Sequence, residues 1–174
     1  LDLHLVREGQ PDLLLRHPPD VARPAPGDYL VEDLLPGYGF ARTMSGSWGD
    51  YDGDGRLDLY MVNRFGANVL ARNRWPDPFE NTTHGGLGLP WRGGASTWGD
   101  HDNDGDLDLL VVQDGAPDAL LTQYEGTFVM ENAPRVELPG PGRDAVWGDL
   151  DNDGDLDLFQ VRDDQPDRLL MKQG

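Results

Sequence analysis

Three short segments of this 174-residue chain carry aspartate at one repeated spacing. The segments begin at Asp50, Asp100 and Asp149, and each has aspartate at positions 1, 3, 5 and 9 and glycine at position 6 of a nine-residue loop. Carboxylate oxygens are the ligands that Ca²⁺ prefers, and glycine allows the backbone reversal that wraps a loop around an ion. The spacing therefore predicts one Ca²⁺ site per loop, with the side chains at positions 1, 3 and 5 converging on the ion.

The candidate carboxylates are the aspartates at these four positions: Asp50, Asp52, Asp54 and Asp58, then Asp100, Asp102, Asp104 and Asp108, then Asp149, Asp151, Asp153 and Asp157. An EF-hand closes with glutamate at position 12 between helices, whereas position 12 here is Met61, Val111 or Gln160 in a predicted strand. A dockerin-like repeat also needs helices, and four clustered carboxylates overfill the octahedral, partly hydrated site that Mg²⁺ prefers. Paired carboxylates can also cleave glycosides, but their placement in every repeat favours metal binding.

The charge and composition of the chain exclude several classes of protein. The formal net charge is −18, so the surface repels phosphate backbones and nucleic acid is not an expected partner. No apolar stretch is long enough for a membrane helix, so we expect no membrane insertion. The chain has no cysteine, which excludes disulfides and thiolate metal sites. Many of the acidic residues lie in the three loops, and their fixed spacing before apolar strands argues against a merely solvated acidic face.

The loops belong to a repeat of about fifty residues. The triplet Leu-Asp-Leu that ends each loop recurs around Asp58, Asp108 and Asp157, and a fourth copy lies around Asp2. A period of this length suits one four-stranded blade of a β-propeller. Each repeat has an inner strand before the loop, a second strand directly after it, a hairpin turn, a third strand and a weaker outer strand. The short apolar runs indicate strands that are buried on both faces.

The strands predict an all-β fold, an incomplete β-propeller of about three and a half four-stranded blades in a single partial domain over residues 1–174. An incomplete blade over 1–40 lacks its inner strand, full blades cover 41–90 and 91–140, and an incomplete blade over 141–174 lacks its outer strand. An open arc leaves blade faces uncovered at both ends. We therefore expect the remaining blades to come from flanking sequence or from self-association.

The unit Trp-Gly-Asp-x-Asp-x-Asp-Gly-x-x-Asp-Leu resembles the FG-GAP/VCBS repeat of integrin α-subunit propellers, in the form found in secreted bacterial proteins and relatives of cartilage acidic protein. The resemblance covers essentially the whole chain. It implies a β-propeller, commonly seven-bladed, whose loops each hold one Ca²⁺. It also implies that position 7 contributes a backbone carbonyl, from Arg56, Asp106 and Asp155, and that aspartate at position 9 closes the site. The side chains of Asp106 and Asp155 would then be free, and Asp2 would be a position 9 without its loop.

The residues outside the loops show no catalytic constellation, so we do not expect the chain to be an enzyme. The histidines are scattered in the sequence: His4, His17, His84 and His101. We expect His101, at loop position 2, to be exposed and to point away from the ion. The tryptophans that recur before each loop, Trp48, Trp98 and Trp147, are expected in the core of the repeats. Trp75 and Trp91 do not recur and are candidates for contact with a ligand.

These features predict an extracellular binding or adhesion propeller in which Ca²⁺ has a structural role. Extracellular Ca²⁺ modules bind the ion too weakly to function in the cytosol, which favours an extracellular, cell-surface or periplasmic location. The expected partner is a protein or a glycan. The alternative is a non-catalytic propeller scaffold within a secreted carbohydrate-active enzyme, whose active site would lie elsewhere.

Overall fold

The computed structural model describes residues 3–5, 13–16, 30–33, 35, 43–88, 93–114, 116–130, 142–163 and 165–172. These residues form fourteen β-strands and one short 3₁₀ helix at Gly85–Gly88, with no α-helix in the same ranges. No helix found there is long and apolar enough to cross a membrane. The described part of the chain is therefore all-β, as predicted.

The strands form four antiparallel sheets that follow one another along the chain. The first sheet contains β1 (Leu3–Leu5), β2 (Leu13–Arg16) and β3 (Leu30–Asp33). The second contains β4 (Thr43–Gly49), β5 (Asp58–Asn63), β6 (Val69–Arg72) and β7 (Glu80–Asn81). The third contains β8 (Gly93–Gly99), β9 (Asp108–Gln113), β10 (Ala119–Tyr124) and β11 (Thr127–Met130). The fourth contains β12 (Gly142–Gly148), β13 (Asp157–Arg162) and β14 (Arg168–Leu170).

Each strand pairs with the next strand of its sheet, which gives the blade-like meanders that the sequence predicts. The outer strand of the second sheet is shorter than the predicted run from Phe79 to Thr82, because only Glu80–Asn81 pairs with β6. Phe79 is instead buried in the core. Beyond the strand, the N–H of Thr82 donates to the carbonyl of Leu70 at 3.0 Å, while the N–H of Leu70 donates to the hydroxyl of Thr83 at 2.9 Å, so a side chain supplies one of the two bonds there.

The apolar core lies between successive sheets. All six residues of β5 are buried, and one cluster joins Tyr60 and Leu70 of the second sheet to Leu109 and Leu121 of the third. Trp98 packs against this cluster, and the equivalent tryptophans at 48 and 147 pack against the two neighbouring clusters. Strands buried on both faces, and a core role for the recurring tryptophans, are therefore confirmed.

The glycine after each recurring tryptophan allows neighbouring inner strands to approach closely. A Cβ on Gly49 would lie 2.8 Å from Cγ and Cδ1 of Trp98, and a Cβ on Gly99 would lie 2.7 Å from Cδ1 of Trp147. The Nε1 of Trp98 also donates to the carbonyl of Ser47 at 3.2 Å. The pair formed by a glycine and the next sheet's tryptophan is thus the joint between successive sheets.

The hairpin between the second and third strands is held by an aspartate or asparagine side chain. Its oxygen accepts a hydrogen bond from the N–H of the residue that ends the second strand. Asn68 accepts from Asn63 at 2.9 Å, Asp118 from Gln113 at 2.9 Å and Asp167 from Arg162 at 3.1 Å. The sequence predicts a turn at these positions, and the structure shows why this residue type recurs. The first copy of this turn, around Pro11, and the first two residues of the Leu1-Asp2-Leu3 triplet lie outside the described residues.

Candidate metal centre

Each aspartate loop joins the inner strand of a sheet to the second strand. The loops connect β4 to β5, β8 to β9 and β12 to β13, so they occupy the same place in three successive sheets. The glycines at position 6, Gly55, Gly105 and Gly154, have φ values of 86°, 96° and 93°. This left-handed backbone favours glycine over every other residue, which explains its place in the motif.

The aspartate at position 1 shapes the loop by accepting two backbone hydrogen bonds. In the first loop, Asp50 accepts the N–H groups of Asp54 at 3.0 Å and Gly55 at 2.8 Å. The same two bonds recur from Asp100, at 3.1 and 3.0 Å, and from Asp149, both at 3.2 Å. These hydrogen bonds fold each loop back toward its first carboxylate without the help of an ion.

The aspartate at position 9 is buried and ties the loop to the third strand. Asp58 accepts the N–H of Tyr51 at position 2, at 3.3 Å, and the N–H of Asn73 just after β6, at 2.7 Å. Asp108 and Asp157 make the equivalent pairs of bonds. Since the side chains of all three aspartates are almost fully buried, their position is fixed by the sheet rather than by the loop.

Three carboxylates converge in each loop, with one oxygen of each lying within 4.8 Å of the others. The converging sets are Asp50, Asp52 and Asp58, then Asp100, Asp102 and Asp104, then Asp149, Asp151 and Asp157. Positions 1 and 3 thus meet in every loop. Position 9 joins them in the first and third loops, and position 5 joins them in the second.

This donor set fits Ca²⁺. The converging ligands are all carboxylate oxygens, which suit a hard cation, and their spacing leaves room for the irregular coordination that Ca²⁺ accepts. The predicted ligands Asp54 and Asp153, both at position 5, lie outside the converging sets and instead accept the N–H of position 7, at 3.0 and 2.9 Å. Their equivalent Asp104 makes the same bond at 2.9 Å and still converges, so the bond does not prevent ligation.

Burial and like charges shift the pKa values of the clustered carboxyls. Burial raises the pKa of Asp58 to about 6, and the charges of Asp52 and Asp54 add to this rise. The pKa values of Asp102 and Asp151 are also raised, first by desolvation and then by neighbouring carboxylates. Each of these carboxyls is therefore harder to ionise in the absence of a cation, and a bound divalent ion would reverse that preference.

Basic side chains neutralise part of the first loop. The Nε of Arg72 lies 2.6 Å from an oxygen of Asp52, and Arg72 and Arg56 both form ion pairs with Asp54. Although desolvation opposes the effect, the N–H of Arg56 and these guanidinium groups lower the pKa of Asp54. The first loop therefore carries less unbalanced negative charge than its four aspartates suggest.

The side chain of Asp155 is not free, which corrects the expectation for position 7. One of its oxygens accepts hydrogen bonds from Lys172 Nζ and from Asn103 Nδ2, each at 2.7 Å. Lys172 Nζ also donates to the carbonyl of His101 at 2.8 Å. The second and third loops are thus linked to each other, and the hydrogen bond from Lys172 lowers the pKa of Asp155.

The expectation that His101 is exposed and points away from the ion position is also wrong. Its side chain is 17% exposed, and Nδ1 lies 2.9 Å from an oxygen of Asp108. Position 2 faces the following sheet, because Tyr51 at the same position is buried and stacks on Trp98 at 6.5 Å between ring centroids. His101 also converges with Asp102 and Asp108 within 4.8 Å.

The remaining candidates do not join the loops. His84 is exposed and contacts the carbonyl of Thr82. Trp75 lies in a turn, is 40% exposed and is joined to Pro76 by a cis peptide bond. His4 lies in β1, while His17 and Trp91 lie outside the described residues.

The partners of position 9 were missed from the sequence, although a signal exists. The N–H groups that these aspartates accept belong to Asn73, Gln123 and Lys172, each fifteen residues further along the chain. A constant offset of this kind is visible in the aligned repeats. It marks the end of the third strand as part of the loop's support.

Comparison with known families agrees with this geometry. The model of the FG-GAP-like repeat matches residues 50–111 and again residues 100–159, so each match begins at the first aspartate of a loop. None of the curated proteins compared with the chain matches it. The two family matches together cover more than half of the sequence and include all three loops, with β5, β9 and the first residues of β13. The chain belongs to the FG-GAP-like repeat family, and its sheets are blades of a β-propeller.

Proposed function

We propose that this chain is a Ca²⁺-stabilised, extracellular β-propeller module that binds a protein or a glycan, with Ca²⁺ in a structural role. The observation that carries the proposal is the convergence of three carboxylates in each of three equivalent loops. Each loop connects the two innermost strands of a blade, so an ion held there would fix that hairpin. The side chains at positions 1, 3 and 9, joined by position 5 and the position 7 carbonyl, would hold it.

The energetic role follows from charge. Desolvation is the main cause of the raised pKa values of Asp58, Asp102 and Asp151, and repulsion between the clustered carboxylates adds to it. A bound ion stabilises the native state by mass action, by about 1.4 kcal/mol per site when free Ca²⁺ is about ten times Kd. Three such sites would add about 4 kcal/mol, which is a large part of the usual stability of a domain.

The same energetics favour a location outside the cytosol. Extracellular Ca²⁺ modules have Kd values of roughly 10⁻⁴–10⁻³ M, and only extracellular Ca²⁺ is abundant enough to fill such sites. If the ion has a structural role, the exposed loops and clefts of the blades remain available to recognise a ligand. This supports a binding or adhesion role rather than catalysis.

Two measurements test this proposal. Equilibrium dialysis should show about three Ca²⁺ bound per chain, one for each converging loop, with Mg²⁺ competing weakly. Protein and glycan arrays probed with excess Ca²⁺ should then give specific binding that is lost in EGTA and involves no turnover of the bound glycan. Stoichiometric Ca²⁺ binding without any array ligand would overturn the binding role, and absent Ca²⁺ binding would overturn the structural role of the ion.

A further inference from the structure

A cleft of about 530 Å³ opens at the ends of the inner strands that are remote from the aspartate loops. Met44 of β4 and Arg143 of β12 line it near the starts of their strands, whereas the loops follow the strand ends. The rise from Met44 to Gly49 along β4 corresponds to about 17 Å. The volume lies within the roughly 300–1,000 Å³ typical of small-molecule sites. The cleft is therefore separate from the candidate metal centre.

The same backbone irregularity shapes the cleft in three successive sheets. The register of each inner strand shifts between Thr43 and Ser45, between Gly93 and Ala95, and between Gly142 and Asp144. The bulged residues between these pairs are Met44, Gly94 and Arg143, and all three line the cleft. A β-bulge re-aims its side chain and is common beside binding sites. The bulges thus turn three equivalent positions toward one space.

The residue types that line the cleft differ between repeats, whereas the loops and the inner strands keep the same residue types at their structural positions. The loops repeat aspartate and glycine at fixed places, and the inner strands repeat Trp-Gly. The residue directly after the second strand, by contrast, is Arg64, Asp114 or Asp163, and each of these lines the cleft. Since the blade does not require one residue type at this place, these side chains are available for recognition.

Two arginines and two aspartates line the cleft, and one of the arginines, Arg64, is placed to receive an anion. The guanidinium carbon of Arg64 lies 5.9 Å from the ring centroid of Phe65, whose side chain is 59% exposed. Within the described ranges no carboxylate lies at ion-pair distance from Arg64, whereas Arg143 pairs with Asp163. In a chain of net charge −18, this guanidinium beside an exposed ring is a local site for a carboxylate.

We propose that this cleft binds an acidic saccharide, a sugar ring that carries one carboxylate. This inference rests on the proposed binding function and names the ligand class. Arg64 binds the carboxylate, and the apolar face of the sugar ring packs on Phe65. Asp114 is exposed and accepts hydrogen bonds from ring hydroxyl groups. An acidic peptide would bring further carboxylates toward Asp114 and Asp163, whereas a sugar brings hydroxyl donors, and this favours the saccharide.

Ligand-observed NMR titration tests the inference, with methyl glucuronide as the probe and excess free Ca²⁺ throughout. Methyl glucuronide should bind at least about tenfold more tightly than the neutral methyl glucoside. Arg64→Gln should abolish that preference without changing the melting temperature, because Arg64 is exposed. The matched control is Arg74→Gln, which removes an exposed arginine that pairs with Glu80 and does not line the cleft.

Several outcomes would overturn the inference. Equal binding of glucuronide and glucoside, absent binding of glucuronide, or an unchanged preference in Arg64→Gln would each exclude a carboxylate contact at Arg64. Glutarate or a blocked glutamyl peptide binding as tightly as glucuronide would show that the sugar ring is not recognised. If Arg64→Gln retained the wild-type pattern on glycan and protein arrays, the cleft assignment would fail while the binding module remained. An array without any ligand would remove the proposed function itself.

Discussion

Replacing Gly49 by alanine should destabilise the joint between the second and third sheets. The added methyl group would lie 2.8 Å from two carbons of Trp98. That is about 1 Å inside normal carbon–carbon contact distance. The indole has little freedom to move, because Nε1 donates to Ser47 at 3.2 Å and the ring packs at 6.3 Å from Tyr60 and 6.0 Å from Phe128.

The expected cost follows from two opposing effects. Overpacking of this kind costs about 1–3 kcal/mol, and alanine recovers about 0.4–1 kcal/mol by restricting the unfolded chain. Gly49→Ala should therefore lower the free energy of unfolding by about 1–2 kcal/mol. Gly99→Ala should cost less, because in the described ranges Nε1 of Trp147 has no hydrogen-bond partner and the indole can shift.

Gly148→Ala is the matched control. No described atom lies within 4 Å of a Cβ at Gly148, so alanine there should be neutral or slightly stabilising. Urea unfolding in saturating Ca²⁺, followed by tryptophan fluorescence and circular dichroism, measures all three variants, with m-values compared to exclude changes in the unfolded state. A cost for Gly148→Ala equal to that for Gly49→Ala would refute the role of the tryptophan–glycine joint.

Three further experiments test the loops and the hairpin. Asp104→Ala should reduce stability in Ca²⁺ more than Asp106→Ala, because only Asp104 belongs to a converging set, and the difference should shrink in EGTA; equal effects in Ca²⁺ would contradict the positional assignment. Arg72→Met should enlarge the rise in melting temperature that Ca²⁺ produces, since Arg72 neutralises Asp52 without the ion; an unchanged rise would show that the ion pair is irrelevant. Burial raises the pKa of Asp118 to about 6, so the native state binds this proton more tightly than the unfolded state. Relative to Asp118→Asn, the wild type should therefore gain on the order of 1 kcal/mol in unfolding free energy as pH falls from about 8 to about 5, and a pH-independent difference would contradict this.

The sequence was sufficient for the features that depend on neighbouring residues in the chain. The spacing of Asp50, Asp52 and Gly55 predicts a loop that closes on its own carboxylates, and the hydrogen bonds from position 5 and position 6 show that it does. The strand order within each blade follows from apolar runs and turn residues, so it was predicted as well. Local geometry determines these features, so the sequence of a single repeat is enough to predict them.

The features that depend on the next sheet were not predictable in the same way. The sequence pattern predicts an exposed His101, but position 2 faces the neighbouring blade, and Asp108 of the same sheet holds the imidazole. The resemblance implies a free side chain for Asp155, but Lys172 and Asn103 reach it from elsewhere in the fold. Such contacts depend on the distance and rotation between blades, which a single repeat does not encode. The cleft at the far end of the inner strands was missed for the same reason.

Thermal unfolding with and without Ca²⁺ tests the central claim most directly. The converging carboxylates predict that EGTA lowers the melting temperature, that added Ca²⁺ restores it, and that the same concentration of Mg²⁺ does not. A melting curve that is indifferent to EGTA, or one that Mg²⁺ restores as fully as Ca²⁺, would contradict the assignment of these loops as structural Ca²⁺ sites.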